Sequence, residues 1–95
     1  MKIRIILREG CAQLRSQEDL SRAREEITRV LGFRGKVLSG NLGGRQCILC
    51  IETSADWGLP REEQYSYLEV WVRSKLRAAY VLHEFEREPL TGLIS

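Results

Sequence analysis

The stretch from Ser16 to Gly32 constrains the fold more than any other. Leu20, Ala23, Ile27, Val30 and Leu31 recur at helical spacing, Ser16 followed by Asp19 resembles a capping box with Asp in the usual Glu position, and Gly32 closes the run. The spacing predicts a helix over 17–31. Arg22, Glu25, Glu26 and Arg29 fall on its outward side, where Arg22 with Glu26 and Glu25 with Arg29 make i,i+4 pairs of opposite charge. An apolar stripe of this kind has to be buried, and the segment before it offers a partner. In residues 2–8 (KIRIILR), Ile3, Ile5 and Leu7 share one side while Lys2, Arg4, Ile6 and Arg8 share the other, the period of a half-buried strand.

Two further strand candidates, 34–39 and 45–52, flank Gly40, Asn41, Leu42, Gly43 and Gly44, where glycine permits the positive φ of a tight reversal. They read as a β-hairpin. Residues 53–60 (TSADWGLP) break either period and read as irregular. Residues 61–88 satisfy two templates. As a helix, Pro60 stands near the first turn and Glu62 and Glu63 suit the positive end of the dipole. Its apolar surface has one lobe of Tyr67, Trp71, Ala78, Val81, Leu82 and Phe85 and a second of Leu68, Val72, Leu76 and Ala79. As a strand, 65–73 (YSYLEVWVR) alternates and a shorter helix follows from Ser74. Pro89 ends either version, and 90–95 is a possible last strand. The helix version is favoured and gives the ferredoxin-like βαββα(β) order; the alternative is βαβββα with 65–73 extended. Both are two-layer α+β sandwiches.

Ninety-five residues suffice for a single domain over 1–95, and 43% hydrophobic with 29% charged residues describes an ordinary globular chain. No apolar run approaches the ~18 residues of a membrane span, so no membrane partner is expected. Three cysteines without a signal-type apolar region at the start point to a reducing compartment, with the cytoplasm as the expectation.

No motif names a chemistry. Cys47 and Cys50 form a C-x-x-C, but within strand sequence residues three apart face opposite ways, so burial as small hydrophobes is expected and no metal or cofactor is implied. His83 is the single histidine, beside Glu84 and Glu86 at a position read as surface. An enzyme with a pocket between sheet and helices, using His83 or Cys11, is the third reading after two kinds of binding domain. The loop GNLGGR lacks phosphate-loop spacing, and Glu62 and Glu63 diverge on a helix.

The charge distribution separates the two binding readings. Residues 1–46 carry ten basic and five acidic residues, a net of +5, whereas 47–95 carry five and eight, a net of −3. Six of seven aromatic residues lie after position 56. A nucleic-acid reading uses Arg4, Arg8, Arg34 and Lys36 on the outward strand face, with Arg45 at the hairpin, against phosphate. That face has no ring for stacking. The favoured reading is association with protein, as a homodimer or an adaptor, because Tyr67, Trp71 and Phe85 exceed what one small core readily covers and aromatic residues dominate such contacts.

Overall fold

The computed structural model describes residues 1–54 and 61–87, with the backbone alone at Arg61. Chain order is β1 (Lys2–Glu9), α1 (Gln17–Leu31), a 3-10 turn (Gly32–Arg34), β2 (Gly35–Gly43), β3 (Gln46–Thr53), α2 (Arg61–Lys75) and β4 (Tyr80–Arg87). The strands form one antiparallel sheet in the order β2-β3-β1-β4. The fold is α+β. Among the described residues no helix is long and apolar enough to cross a membrane.

Helix α1 has the predicted bounds because its ends are chemically marked. The Ser16 hydroxyl accepts from the Asp19 amide, the Asp19 carboxylate accepts from the Ser16 amide, and Gly32 at φ 57 turns the chain out of the helix. The inner side of the sheet is built by alternation. Ile3, Ile5 and Leu7 of β1 and Cys47, Leu49 and Ile51 of β3 are all fully buried, together with Ala23, Ile27 and Leu31 of α1 and Leu68 and Val72 of α2. Gly40 lets α1 settle close to the sheet, since a Cβ there would stand 2.6 Å from Leu49 Cδ2 and 3.2 Å from Leu20 Cδ1. Loss of one of these large inner side chains leaves a cavity, at about 2–5 kcal/mol for a change to alanine.

Four sequence expectations are corrected. The hairpin reverses in two residues, Gly44 and Arg45 at φ 59 and 61, so Gly40–Gly43 belong to β2 rather than to a loop. Glu26, expected on the outward side of α1, is 7% exposed, and its oxygens accept from Arg29 Nε and Nη2 and from the Arg77 backbone N–H. The second helix is present, so 65–73 is not a strand, but it ends at Lys75.

The fourth concerns Tyr80–Arg87, which form β4 instead of continuing that helix. Ile6 pairs with Glu84 and Leu7 with Leu82, which leaves His83 as an extra residue, a bulge. The bulge puts Leu82 and Phe85 on the same side although they are three apart. That spacing imitates a helix. The possible strand at 90–95 and nearly all of the irregular 53–60 segment lie outside the described residues, while Thr53 itself ends β3.

Candidate protein interface

Both helices lie against the side of the sheet that carries Ile5 and Leu49, so the chain has two other surfaces of interest. One is the far side of the sheet, and the second is the outer side of α2 with the turn beside it.

The second surface begins at the 3-10 turn. Gly32 and Gly35 bracket Phe33 and Arg34, and no strand or helix period draws the Phe33 ring inward; it is 82% exposed. The Arg34 guanidinium lies 4.7 Å from the Phe33 ring centre and 4.1 Å from that of Trp71 on α2. Trp71 is fixed from below, since its Nε1–H donates to the Val30 carbonyl at 2.7 Å. Lys75 Nζ stands 5.1 Å from the Trp71 ring, and the Tyr67 ring stacks on it at 6.3 Å with a 21° tilt. Val70, on the same outer side, is 66% exposed and Tyr67 43%. Phe33, Arg34, Trp71, Lys75 and Tyr67 therefore form a continuous band in which aromatic surface is interleaved with two cations, and Val70 follows Tyr67 by three residues on α2. A cation over a ring is worth about 0.5–1 kcal/mol when exposed, and more once a partner removes water.

Of the three association residues read from sequence, Tyr67 and Trp71 are brought together and Phe85 is not. Phe85 is 8% exposed on the inner side of β4, where its ring meets Tyr65 at 5.4 Å and its carbonyl accepts from the Tyr65 hydroxyl at 2.6 Å. The bulge at His83 turns it there. Phe33, Val70 and Lys75 are members that sequence reasoning passed over. The available signal for Phe33 was a large ring enclosed by glycines in GFRG, where burial has no periodic support.

The five basic residues of the nucleic-acid reading divide among three places. Arg4, Arg8 and Lys36 lie on the far side of the sheet, Arg45 at the hairpin tip and Arg34 on the aromatic band. On the sheet the cations are matched by neighbours on adjacent strands. Arg4 Nη2 is 2.6 Å from Glu86 Oε2, Lys36 Nζ is 4.0 Å from Glu52 Oε1, and Arg8 Nη2 is 3.0 Å from His83 Nε2. Glu86 holds the Arg4 guanidinium above its usual value by a direct hydrogen bond. Half-buried Ile6, Ile48 and Cys50 occupy the middle of that side.

Two placements bear on catalysis. His83 faces Arg8 across the sheet, and among the described residues neither a hydroxyl nor a thiol is hydrogen-bonded to it. Cys47 is fully buried on the inner side and Cys50 points to the far side, as the strand spacing requires. Burial pushes the Cys47 thiol up to about 11. Among the described residues no group of three or more His, Cys, Asp or Glu could hold a metal ion. The groove lined by Arg22, Glu25, Glu26, Arg29, Arg77, Ala79 and Tyr80, about 340 Å³, is walled by the Arg29–Glu26 pair within α1 and by the Arg77–Glu26 pair that ties α1 to the segment after α2.

Comparison of the chain with protein families, characterised proteins and solved structures finds no match.

Proposed function

We infer that this chain is a small non-enzymatic domain that acts by associating with protein through the band formed by Phe33, Arg34, Tyr67, Val70 and Trp71. One observation carries the reading: Phe33 at 82% exposure and Val70 at 66% flank a Trp71–Arg34 stack in which the Trp71 ring is tied down by its hydrogen bond to the Val30 carbonyl. Rings and guanidinium groups held rigidly at a surface are the side chains that supply most binding energy in protein contacts, because little entropy is lost on docking. The strand order with two crossover helices supports a ferredoxin-like framework, which holds α2 across the sheet. Exposed Cys11 suits a reducing compartment, the cytoplasm, where a free thiol persists.

Phosphate binding is less well supported, because Arg4 and Lys36 already face carboxylates and Trp71 is stacked against groups of its own chain. The test is photo-crosslinking in the producing cell, with a photoreactive residue at position 33 or 70 and a control at Arg45. Discrete protease-sensitive adducts from 33 and 70, and not from 45, are expected. Adducts that are nuclease-sensitive, or the absence of any adduct from either position, overturn the reading.

A further inference from the structure

We propose that Glu26 is the positioning residue of the aromatic band: its charged carboxylate, acting through Arg29 and the Arg77 backbone N–H, holds the end of α2 that presents Trp71 and Lys75, and a proton taken up there lets that end go. The proposal rests on the association reading for what the band does, and on the hydrogen bonds between α1 and α2 for how the band is held.

Among the described residues Glu26 is the one buried charged side chain. Taking a carboxylate out of water is costly unless it is fully bonded, and a buried ion pair adds little over a packed apolar pair; its best-attested use is to fix one arrangement of the elements it joins. At Glu26 the bonds reach across two elements. Oε1 accepts from Arg29 Nε and Oε2 from Arg29 Nη2, both at 2.9 Å, and Oε2 also accepts from the Arg77 N–H at 3.0 Å. Arg29 passes the tie on, because its Nη2 donates to the Lys75 carbonyl at 3.0 Å. That carbonyl belongs to the last turn of α2, where a helix leaves its acceptors without partners, and a guanidinium there also meets the negative end of the dipole. Helix α1 thus supplies a cap to α2 from 46 residues away.

The same stretch of α1 fixes the band. The Val30 carbonyl accepts from Trp71 Nε1, and Lys75, whose carbonyl Arg29 holds, sets its Nζ 5.1 Å from the Trp71 ring. Glu26, Arg29 and Val30 lie on one side of α1 at i, i+3 and i+4, so they hold Trp71, Lys75 and Arg77 as a set. A neutral Glu26 weakens that set, since charge-assisted hydrogen bonds are about twice as strong as neutral ones. Arg29, 45% exposed at its side chain, then turns toward water, and the Lys75 carbonyl loses its donor. The other groups around Glu26 are Arg22 and Glu25 of α1, Arg77 after α2 and Tyr80 of β4. The two arginines favour its charged form and exposed Glu25 opposes it.

Nuclear magnetic resonance of the chain between about pH 7 and about pH 3 tests this, with the Arg77 amide reporting on the Glu26 carboxyl and the Trp71 indole N–H on the band. Trp57→Phe assigns the second indole signal. Both reporters are expected to follow one titration curve while the Ile5 amide in the sheet stays in place. Glu26→Gln, which mimics the protonated acid, should hold both near their acid positions at every pH. Arg29→Lys keeps a cation beside Glu26 but loses the fork that reaches Lys75, so it should shift the Trp71 indole in a chain that is still folded. Glu25→Gln should move neither reporter. In the cell, adducts from a photoreactive residue at position 33 or 70 should fall at least about fivefold in Glu26→Gln, the low end of coupling between two sites.

A Trp71 indole that stays fixed while the Arg77 amide titrates, or that neither variant moves, overturns the positioning role. Adduct yields equal in wild type and Glu26→Gln overturn it as a control on association. The absence of adducts from the wild-type chain removes the association reading alone, because the two resonance reporters still decide whether Glu26 holds the band.

Discussion

Helices α1 and α2 are equal in length, at 15 residues each, yet they divide their surfaces differently. In α1 the inner side is apolar and the outer side is Ser21, Arg22, Arg24, Glu25, Thr28 and Arg29, all exposed and polar. In α2 the inner side is apolar as well, but Tyr67 and Val70 face outward beside Trp71. The first helix leaves no large apolar side chain on its outer side. The second retains apolar surface that folding of one chain does not remove, and an exposed apolar surface rimmed by charge is the mark of a contact site.

The largest effects should come from the inner sides, where the helices are alike. Ile27→Ala in α1 and Leu68→Ala in α2 each remove a fully buried branched side chain and should each lower unfolding free energy by about 2–5 kcal/mol in urea titration. Comparable losses would establish that both helices are anchored in one core. A loss below about 1 kcal/mol for Leu68→Ala would break the comparison, because α2 would then be held mainly by its outer side.

An intermediate effect is expected where the helices are tied together. The Glu26 carboxylate accepts two hydrogen bonds from Arg29 and one from the Arg77 N–H at 3.0 Å, and Arg29 Nη2 also donates to the Lys75 carbonyl at 3.0 Å. Hydrogen bonding from Arg29, opposed by burial, holds the Glu26 carboxyl below its ordinary range. A depressed folded-state value means that the unfolded chain takes up the proton first. The stabilisation is complete above the unfolded value of about 4.3 and is lost as pH falls through the lower folded value. Glu26→Gln should cost about 1–3 kcal/mol at pH 7, from weakened charge-assisted bonds, and should flatten the decline in stability below pH 4. Acid unfolding curves of wild type and variant that run parallel through that range would show that Glu26 does not link the helices in this way.

The same two helices show why part of the architecture was legible in sequence. For α1 the cap residues, the apolar spacing and the closing glycine all agree, so its limits follow from local chemistry. β1 is equally plain, with Ile3, Ile5 and Leu7 in strict alternation. Tyr80–Arg87 is not, because the His83 bulge breaks the alternation and leaves Leu82 and Phe85 at helical spacing. Leu38 does the same in β2, where Val37 pairs with Ile51 and Ser39 with Cys50. A bulge is chosen by pairing with a strand remote in sequence, and local pattern contains no record of it. The aromatic band has the same character: Tyr67 and Trp71 follow from spacing on one helix, whereas Arg34 over Trp71 depends on how two distant elements pack.

The smallest effect should come from the outer side of α2, and it is the one that separates a contact residue from a structural one. Val70 is two-thirds exposed, and serine has nearly the same helix propensity as valine. Val70→Ser should therefore change unfolding free energy by less than about 0.5 kcal/mol when measured at low micromolar concentration. If the outer side serves self-association, stability at millimolar protein should differ between wild type and Val70→Ser, because association of folded chains alone adds free energy as RT ln(1 + [L]/Kd), with the free chain as its own ligand. Wild-type stability should rise with concentration while the variant's stays flat. A cost of more than about 1 kcal/mol at low concentration would mean that Val70 helps hold the single chain together, and the difference between the two helices would then lie in packing rather than in partners.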